Sequence, residues 1–204
     1  MLESSNLAAQ RGTATLFSGI AFRIAPGDAL LVTGANGSGK TTLLRIAAGL
    51  ERAAAGTLAW RGRPAAPFDP ALRAAVAYIG HAVALKDELS AEENLASLAS
   101  LHCDNAAPDA VRTALSTWSL ERQSGLAARA LSLGQRRRVS LARLELTARP
   151  LWILDEPAAA LDAAGATRLD DVLGAHLKRG GMAIVATHQE MALPGSTVRH
   201  LSLS

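Results

Sequence analysis

Cysteine is almost missing: Cys103 is the only one in 204 residues. An internal disulfide is therefore excluded, and the usage agrees with a reducing compartment. Aromatic residues are scarce at 3%, although 49% of the chain is hydrophobic. The difference is made up largely of alanine and leucine, which points to a globular, helix-leaning protein. No window approaches the roughly 18 to 20 uninterrupted apolar residues of a membrane-spanning helix. The opening M-L-E-S-S-N has no basic segment feeding an apolar core, so no secretory leader is expected and the chain is expected to stay in the cytoplasm. No repeat, low-complexity tract or linker divides the sequence, which is long enough for one ordinary domain with a sizeable core. A strong charge of one sign is lacking as well. The formal charge is +3 and the pI near 9.6, from arginines spread along the chain with one local run at Arg136, Arg137 and Arg138. Such basicity reads as a solvated surface, suited to lying near anionic lipid, and no nucleic-acid partner is expected.

Glycine, by contrast, is clustered. Val32 to Leu44 reads V-T-G-A-N-G-S-G-K-T-T-L-L, preceded by the apolar run Ala29, Leu30, Leu31. A buried strand, a turn through Gly34, Ala35, Asn36, Gly37, Ser38 and Gly39, and a helix from Lys40 make the phosphate-binding loop pattern. Glycines permit backbone angles closed to other residues, so successive N–H groups can face a polyphosphate at the start of the helix. Lys40 is then expected at the β- and γ-phosphates, the Thr41 hydroxyl on Mg²⁺, and Thr42 beside them. A strand-to-helix turn that binds nothing is the alternative; the order Gly39, Lys40, Thr41 between a legible strand and helix favours the loop.

The rest of the chain arranges itself around that loop. Phe17, Ile20, Phe22 and Ile24 predict strand character over residues 13 to 24, in a small antiparallel sheet ahead of the core. Gly49 is the expected stop of the first helix, and residues 56 to 60 and 75 to 79 are expected strands separated by a loop from Pro64 to Pro70. From His81 the sequence turns helical: Ser90 with Glu93 makes a capping box ahead of Leu95, Leu98 and Leu101, and Pro108 opens a second helix carrying Val111, Leu115 and Trp118. Residues 81 to 130 are expected to form a helical lobe inserted into an α/β core made of residues 1 to 80 and 131 to 204. L-S-L-G-Q at Leu131 to Gln135 precedes a helix expected from Arg136 with Val139, Ala142 and Leu146 on one face. Leu151 to Leu154 predict a buried strand ending in Asp155, Glu156 and Pro157, followed by Ala160, Leu161 and Asp162. A helix over 163 to 177, a strand from Met182 to Ala186 ending at Thr187 and His188, and a last strand from Thr197 to Leu203 complete the chain.

Strands alternating with helices predict a mostly parallel sheet with its ligand at the carboxyl ends of the strands. The phosphate loop, the Asp155–Glu156 pair and His188 all fall at such ends, so they are expected to meet. A charge closing an apolar strand calls for a cation, which assigns Asp155 to Mg²⁺. Glu156 suits a base that orients and deprotonates the water attacking the γ-phosphate; the alternative is an acid that merely starts a helix. His188, after Thr187, reads as a γ-phosphate contact, with a satisfied core histidine as the alternative.

Taken in order, G-A-N-G-S-G-K-T-T, L-S-L-G-Q, L-W-I-L-D-E-P, A-L-D and T-H resemble the ATP-binding-cassette ATPases over essentially the whole chain. The resemblance implies two copies closed head to tail on two ATP molecules, with Ser132, Gly134 and Gln135 touching the γ-phosphate held by the partner copy and Asp162 at the seam. Where most members place an aromatic on the adenine, this chain has Arg11, whose guanidinium plane can also stack on a base; an ordinary exposed arginine is the alternative. His81 stands where most members carry a glutamine that senses Mg²⁺ and faces the membrane subunit. A neutral imidazole can accept a hydrogen bond or approach the metal and imidazolium cannot, so turnover is expected to fall toward pH 6 more steeply than in His81→Gln. The alternative is a loop histidine with no metal role.

The segment Gly80, His81, Leu85, Lys86, Leu89, Ser90, Glu93, Asn94, Leu95, with Leu16 to Gly19 and Leu146 to Pro157, is similar to the haem-exporter ATP-binding subunits of cytochrome c maturation. That similarity implies a peripheral subunit on the cytoplasmic face of a bacterial inner membrane, bound to integral-membrane subunits, with haem met only indirectly. The rival expectations are the ATPase of another small exporter and a soluble cassette ATPase of iron–sulfur assembly or DNA repair. No room for a coiled-coil insertion argues against the last.

Overall fold

The computed structural model describes residues 1–100, 107–189 and 191–203; Leu101 and Cys103 lie outside the described residues. Two compact units emerge, one formed by Met1–Gly80, Arg149–Glu156 and Leu173–Ser204, the other by His81–Ala148 and Pro157–Val172.

The first unit holds two sheets. In the five-stranded one, β3 (Asp28–Gly34), β6 (Val76–Ile79), β7 (Leu151–Asp155), β8 (Met182–Ala186) and β9 (Thr197–Leu203) take the order β6-β7-β8-β3-β9. All four pairings are parallel. β7 and β8 are buried at every position, which explains their continuous apolar sequences: a strand covered on both faces has no solvent side to mark with polar residues. α1 (Lys40–Ala47) packs on this sheet and ends as expected at Gly49. Gly49, at φ +69°, donates to the Ile46 carbonyl, and Leu50 N–H reaches Arg45 O, the left-handed cap that helices favour glycine for.

The second sheet is antiparallel, with β1 (Leu2–Arg11), β2 (Ala14–Ile24), β4 (Ala55–Trp60) and β5 (Arg63–Pro64) in the order β2-β1-β4-β5. It adds Leu2, Leu7, Phe17, Ile24, Leu58 and Trp60 to a core shared with α1 and the parallel strands. β1 is not announced by the sequence. Its alternation is broken by a register shift between Ser4 and Leu7, where Asn6 takes φ +51°, a bulge that exchanges the faces of the strand. Between the loop expected from Pro64 to Pro70 and β6 lies an unforeseen short helix, α2 (Pro70–Ala75), which takes Ala75 from the expected strand and is capped by Asp69, which accepts from Leu72 N–H.

The second unit contains α3 (Ala91–Ser100), α4 (Pro108–Thr117), α5 (Leu133–Ala142) and the first turns of α6 (Ala163–Lys178). Ser90 and Glu93 close the expected capping box. Buried Asn94 pins the preceding loop by donating to the Lys86, Leu89 and Ser90 carbonyls and accepting from Lys86 N–H. Val111, Leu115 and Trp118 are core, as their spacing predicts. This unit is larger than the lobe expected over 81 to 130, because α5 packs on α3 and α4. α5 also begins three residues before the expected Arg136, since Ser132 caps it. It stops at Ala142, where a 3₁₀ turn over Arg143–Glu145 rotates Leu144, not Leu146, into the core.

Candidate active site

In the first unit, the adjacent strands β3, β8 and β7 deliver Gly34, Thr187 and Asp155 to the same carboxyl edge. The turn after β3 needs its glycines: Gly34, Gly37 and Gly39 have φ of +145°, +86° and +95°. Space is equally demanding, since a Cβ on Gly34 would collide with the Leu203 carbonyl, and one on Gly39 would sit 2.9 Å from the Phe17 ring. Phe17, on β2, thus closes against this turn, which its strand-like spacing in the sequence does not reveal. Ala35, Asn36 and Gly37 form the exposed apex, while Ser38 Oγ is buried with no hydrogen-bond partner among the described residues.

Lys40 is 7% exposed. Its ammonium donates to Gly34 O at 2.7 Å and to Ala35 O at 3.1 Å, and among the described residues no carboxylate lies within ion-pair distance of it. The first turn of α1 has no acidic residue and no side-chain cap. A buried cation beside an uncapped helix N-terminus is a cradle shaped for an anion. Thr41 Oγ1 donates to Asp155 Oδ2 at 2.7 Å, and Asp155 is 1% exposed. Thr42 is buried behind them.

Glu156 follows in a left-handed conformation, φ +49°, which costs a non-glycine residue about 1–2 kcal/mol. Its N–H donates to Ala186 O, and its carboxylate comes within 3.3 Å of His188 Nε2. Thr187 N–H donates to Val32 O, joining the His188 segment to the loop strand. Tyr78, on β6 beside β7, went unnoticed in the sequence. Burial, then the charge of Asp155, push its hydroxyl above the usual tyrosine range, against a hydrogen bond from Arg45.

The other residues the sequence singles out belong to β1 and to the second unit. Arg11 is exposed at the end of β1. In the second unit, Ser132 Oγ accepts from Gln135 N–H at 3.2 Å and Gln135 Oε1 from Ser132 N–H at 2.9 Å, so L-S-L-G-Q is a closed capping box at the head of α5. Leu133 is 65% exposed. His81 has an exposed side chain, and its carbonyl accepts from Arg137 Nη1 at 3.4 Å. Arg137, 2% exposed, also donates to Pro157 O at 3.0 Å.

A parallel sheet whose edge carries a glycine turn, a buried lysine and a threonine–aspartate couple defines a nucleoside-triphosphate site of the phosphate-loop kind. Residues 17–159 match the ABC transporter family, and the chain belongs to that family: it is an ABC-type ATPase, which binds ATP. Over 201 residues it is 50% identical to the cytochrome c biogenesis ATP-binding export protein CcmA of Cupriavidus necator, covering 98% of this chain and 88% of that protein. It is 44% identical over 203 residues to the CcmA of Dechloromonas aromatica, with 100% of both chains covered. Among solved structures, an ABC transporter ATP-binding protein from Pyrococcus furiosus superposes with a TM-score of 0.85 at 23% identity, covering 99% of this chain and 96% of that one. The dimeric ATP-binding cassette MJ0796, in a post-hydrolysis state with ADP and Pi, gives 0.81 at 22% identity over 93% and 88%. Both share the fold.

Proposed function

We propose that this chain is the ATP-hydrolysing subunit of a haem-handling exporter serving c-type cytochrome biogenesis, bound peripherally at the cytoplasmic face of the inner membrane to integral-membrane subunits. The observation that carries the cargo reading is the 50% identity, across nearly the whole chain, with a cytochrome c biogenesis export protein. Among the described residues no helix is long and apolar enough to cross a membrane, which agrees with a path for cargo built by other subunits.

For hydrolysis, Lys40 and the N–H groups of Gly34 to Thr42 hold the β- and γ-phosphates of ATP. The donor set Thr41 Oγ1 and Asp155 fits Mg²⁺, which prefers one or two protein oxygens and leaves its other positions to phosphate and water; when bound, the ion neutralises charge building on the phosphate oxygens. Glu156 takes the proton of the attacking water, and His188, 3.3 Å from it, fixes the carboxylate's direction and faces the γ-phosphate. Ser132, Gly134 and Gln135 of a second copy complete the site head to tail, so turnover depends on dimer formation. Arg11 stacks on the adenine, and His81 reads the metal from the loop that meets the membrane subunit.

The test of the cargo reading is affinity purification from detergent-solubilised membranes, with identification of co-purifying subunits and a haem absorption spectrum. Membrane subunits carrying a haem Soret band are expected. A chain recovered alone from the soluble fraction, or with membrane subunits that bring no haem while c-type cytochromes mature normally without it, would overturn the assignment.

A further inference from the structure

Within the second unit, the head of α5 and the A-L-D segment are fastened to each other in two places. Arg138, one turn along α5 from Gln135, donates from Nη2 to Asp162 Oδ1 at 2.5 Å, and Nη1 reaches the Trp118 carbonyl at 3.5 Å. The same Asp162 oxygen accepts Gly165 N–H at 2.9 Å and so caps α6. Gly165 first, then Arg138, hold the carboxyl below the usual aspartate range. The second fastening is steric. A Cβ on Gly134 would stand 2.7 Å from the carbonyl oxygen of Ala160, and Ala160 itself holds φ +66°. Gly134 is therefore required by the backbone of its own chain, whatever else approaches it.

The pair is asymmetric. Arg138 shows 18% of its side chain to solvent and Asp162 64%, so the arginine is the fixed member and the aspartate docks on it. An ion pair with one exposed partner contributes little to folding, typically about 0–1 kcal/mol. Its consequence is to be sought in position.

We propose that Arg138 is a positioning residue that locks the segment Ala160–Asp162 onto the start of α5, so that the Ser132–Gln135 turn and the A-L-D segment move as one body when two copies close on ATP. This rests on the head-to-tail reading above. Asp162 then acts first inside its own subunit: with the tie broken, the turn reaches the partner's nucleotide without the segment beside it, and turnover falls while each copy's Lys40 site binds nucleotide as before.

The test is a double-mutant cycle in the full chain with Arg138→Gln, Asp162→Asn and both together, reading phosphate release, nucleotide affinity and melting temperature. Asp162→Asn keeps Oδ1 for Gly165 N–H, so the cap of α6 survives, while it removes the negative charge that holds Arg138 on that same oxygen. Each single variant is expected to lose about tenfold in kcat and the double variant the same tenfold, not the product, because both remove one interaction; nucleotide affinity changes by less than about twofold. Unchanged kcat in Asp162→Asn, or losses that multiply in the double variant, overturn the tie. Asp162→Asn decides the matter alone should Arg138→Gln not fold. A wild-type chain that releases phosphate while monomeric overturns the head-to-tail reading and the tie with it, whereas a wild type that turns over only as a dimer, with a multiplicative cycle, overturns the tie alone.

Discussion

Lys40 sits in a position no structural need explains: a buried ammonium held by two loop carbonyls, beside a helix end with no acid of its own. Charge-assisted hydrogen bonds are worth about 1.5–3 kcal/mol each, so Lys40→Met, which cannot donate to a bound phosphate, is expected to weaken ATP binding by about 10- to 100-fold in a fluorescence titration. Glu156→Gln separates binding from chemistry. It preserves the side chain's shape beside His188 but cannot take a proton, and loss of a positioned base costs about 10²- to 10⁴-fold in phosphate release, with nucleotide affinity retained. Gly34→Ala meets a different limit. Its Cβ would run into the Leu203 carbonyl, a backbone atom that cannot swing aside, at a φ of +145°; loss of nucleotide binding together with a lowered melting temperature is expected.

Among the elements, α6 carries in its last turn a histidine that titrates against folding. His176 stacks on Trp152 with ring centroids 3.7 Å apart, and its Nε2 lies 3.2 Å from the Met182 carbonyl. Burial lowers its pKa from 6.5 to about 4. The unfolded chain therefore takes up this proton first as pH falls. The contribution is fully present above pH 6.5 and is lost between 6.5 and about 4, by up to about 1.4 kcal/mol per pH unit. Urea midpoints measured from pH 7 to pH 5 are expected to drop more in the wild type than in His176→Phe. The elements also show what the sequence could tell. β7 and β8, α1 with its glycine stop, and the Ser90 box were legible because each carries a local signal: an apolar run, a left-handed cap, a reciprocal pair of hydrogen bonds. β1 was not, because a bulge at Asn6 breaks its alternation, nor α2, which is too short to show a period. The head of α5 was misplaced because Leu133, exposed, interrupts the apolar pattern where Ser132 has already started the helix. At the site, Lys40, Thr41, Asp155, Glu156 and His188 are legible through motif chemistry, whereas Phe17 and Tyr78 there, and Arg138 in the second unit, matter only through neighbours distant in sequence.

On the scale of the whole molecule, the proposed function gives the first unit a phosphate grip and a base, and gives the second a capped turn meant for the nucleotide of another copy. On that proposal the capping box, which joins Ser132 and Gln135 within one chain, holds the turn in shape before a second copy arrives. Dimer formation should therefore follow the γ-phosphate. The most direct measurement is analytical ultracentrifugation of Glu156→Gln with ATP, with ADP and without nucleotide. A dimer with ATP only, lost on Ser132→Arg while a single copy still binds ATP, is the expected result. A chain that stays monomeric with ATP bound, or a Ser132→Arg protein that dimerises and turns over like the wild type, would contradict it.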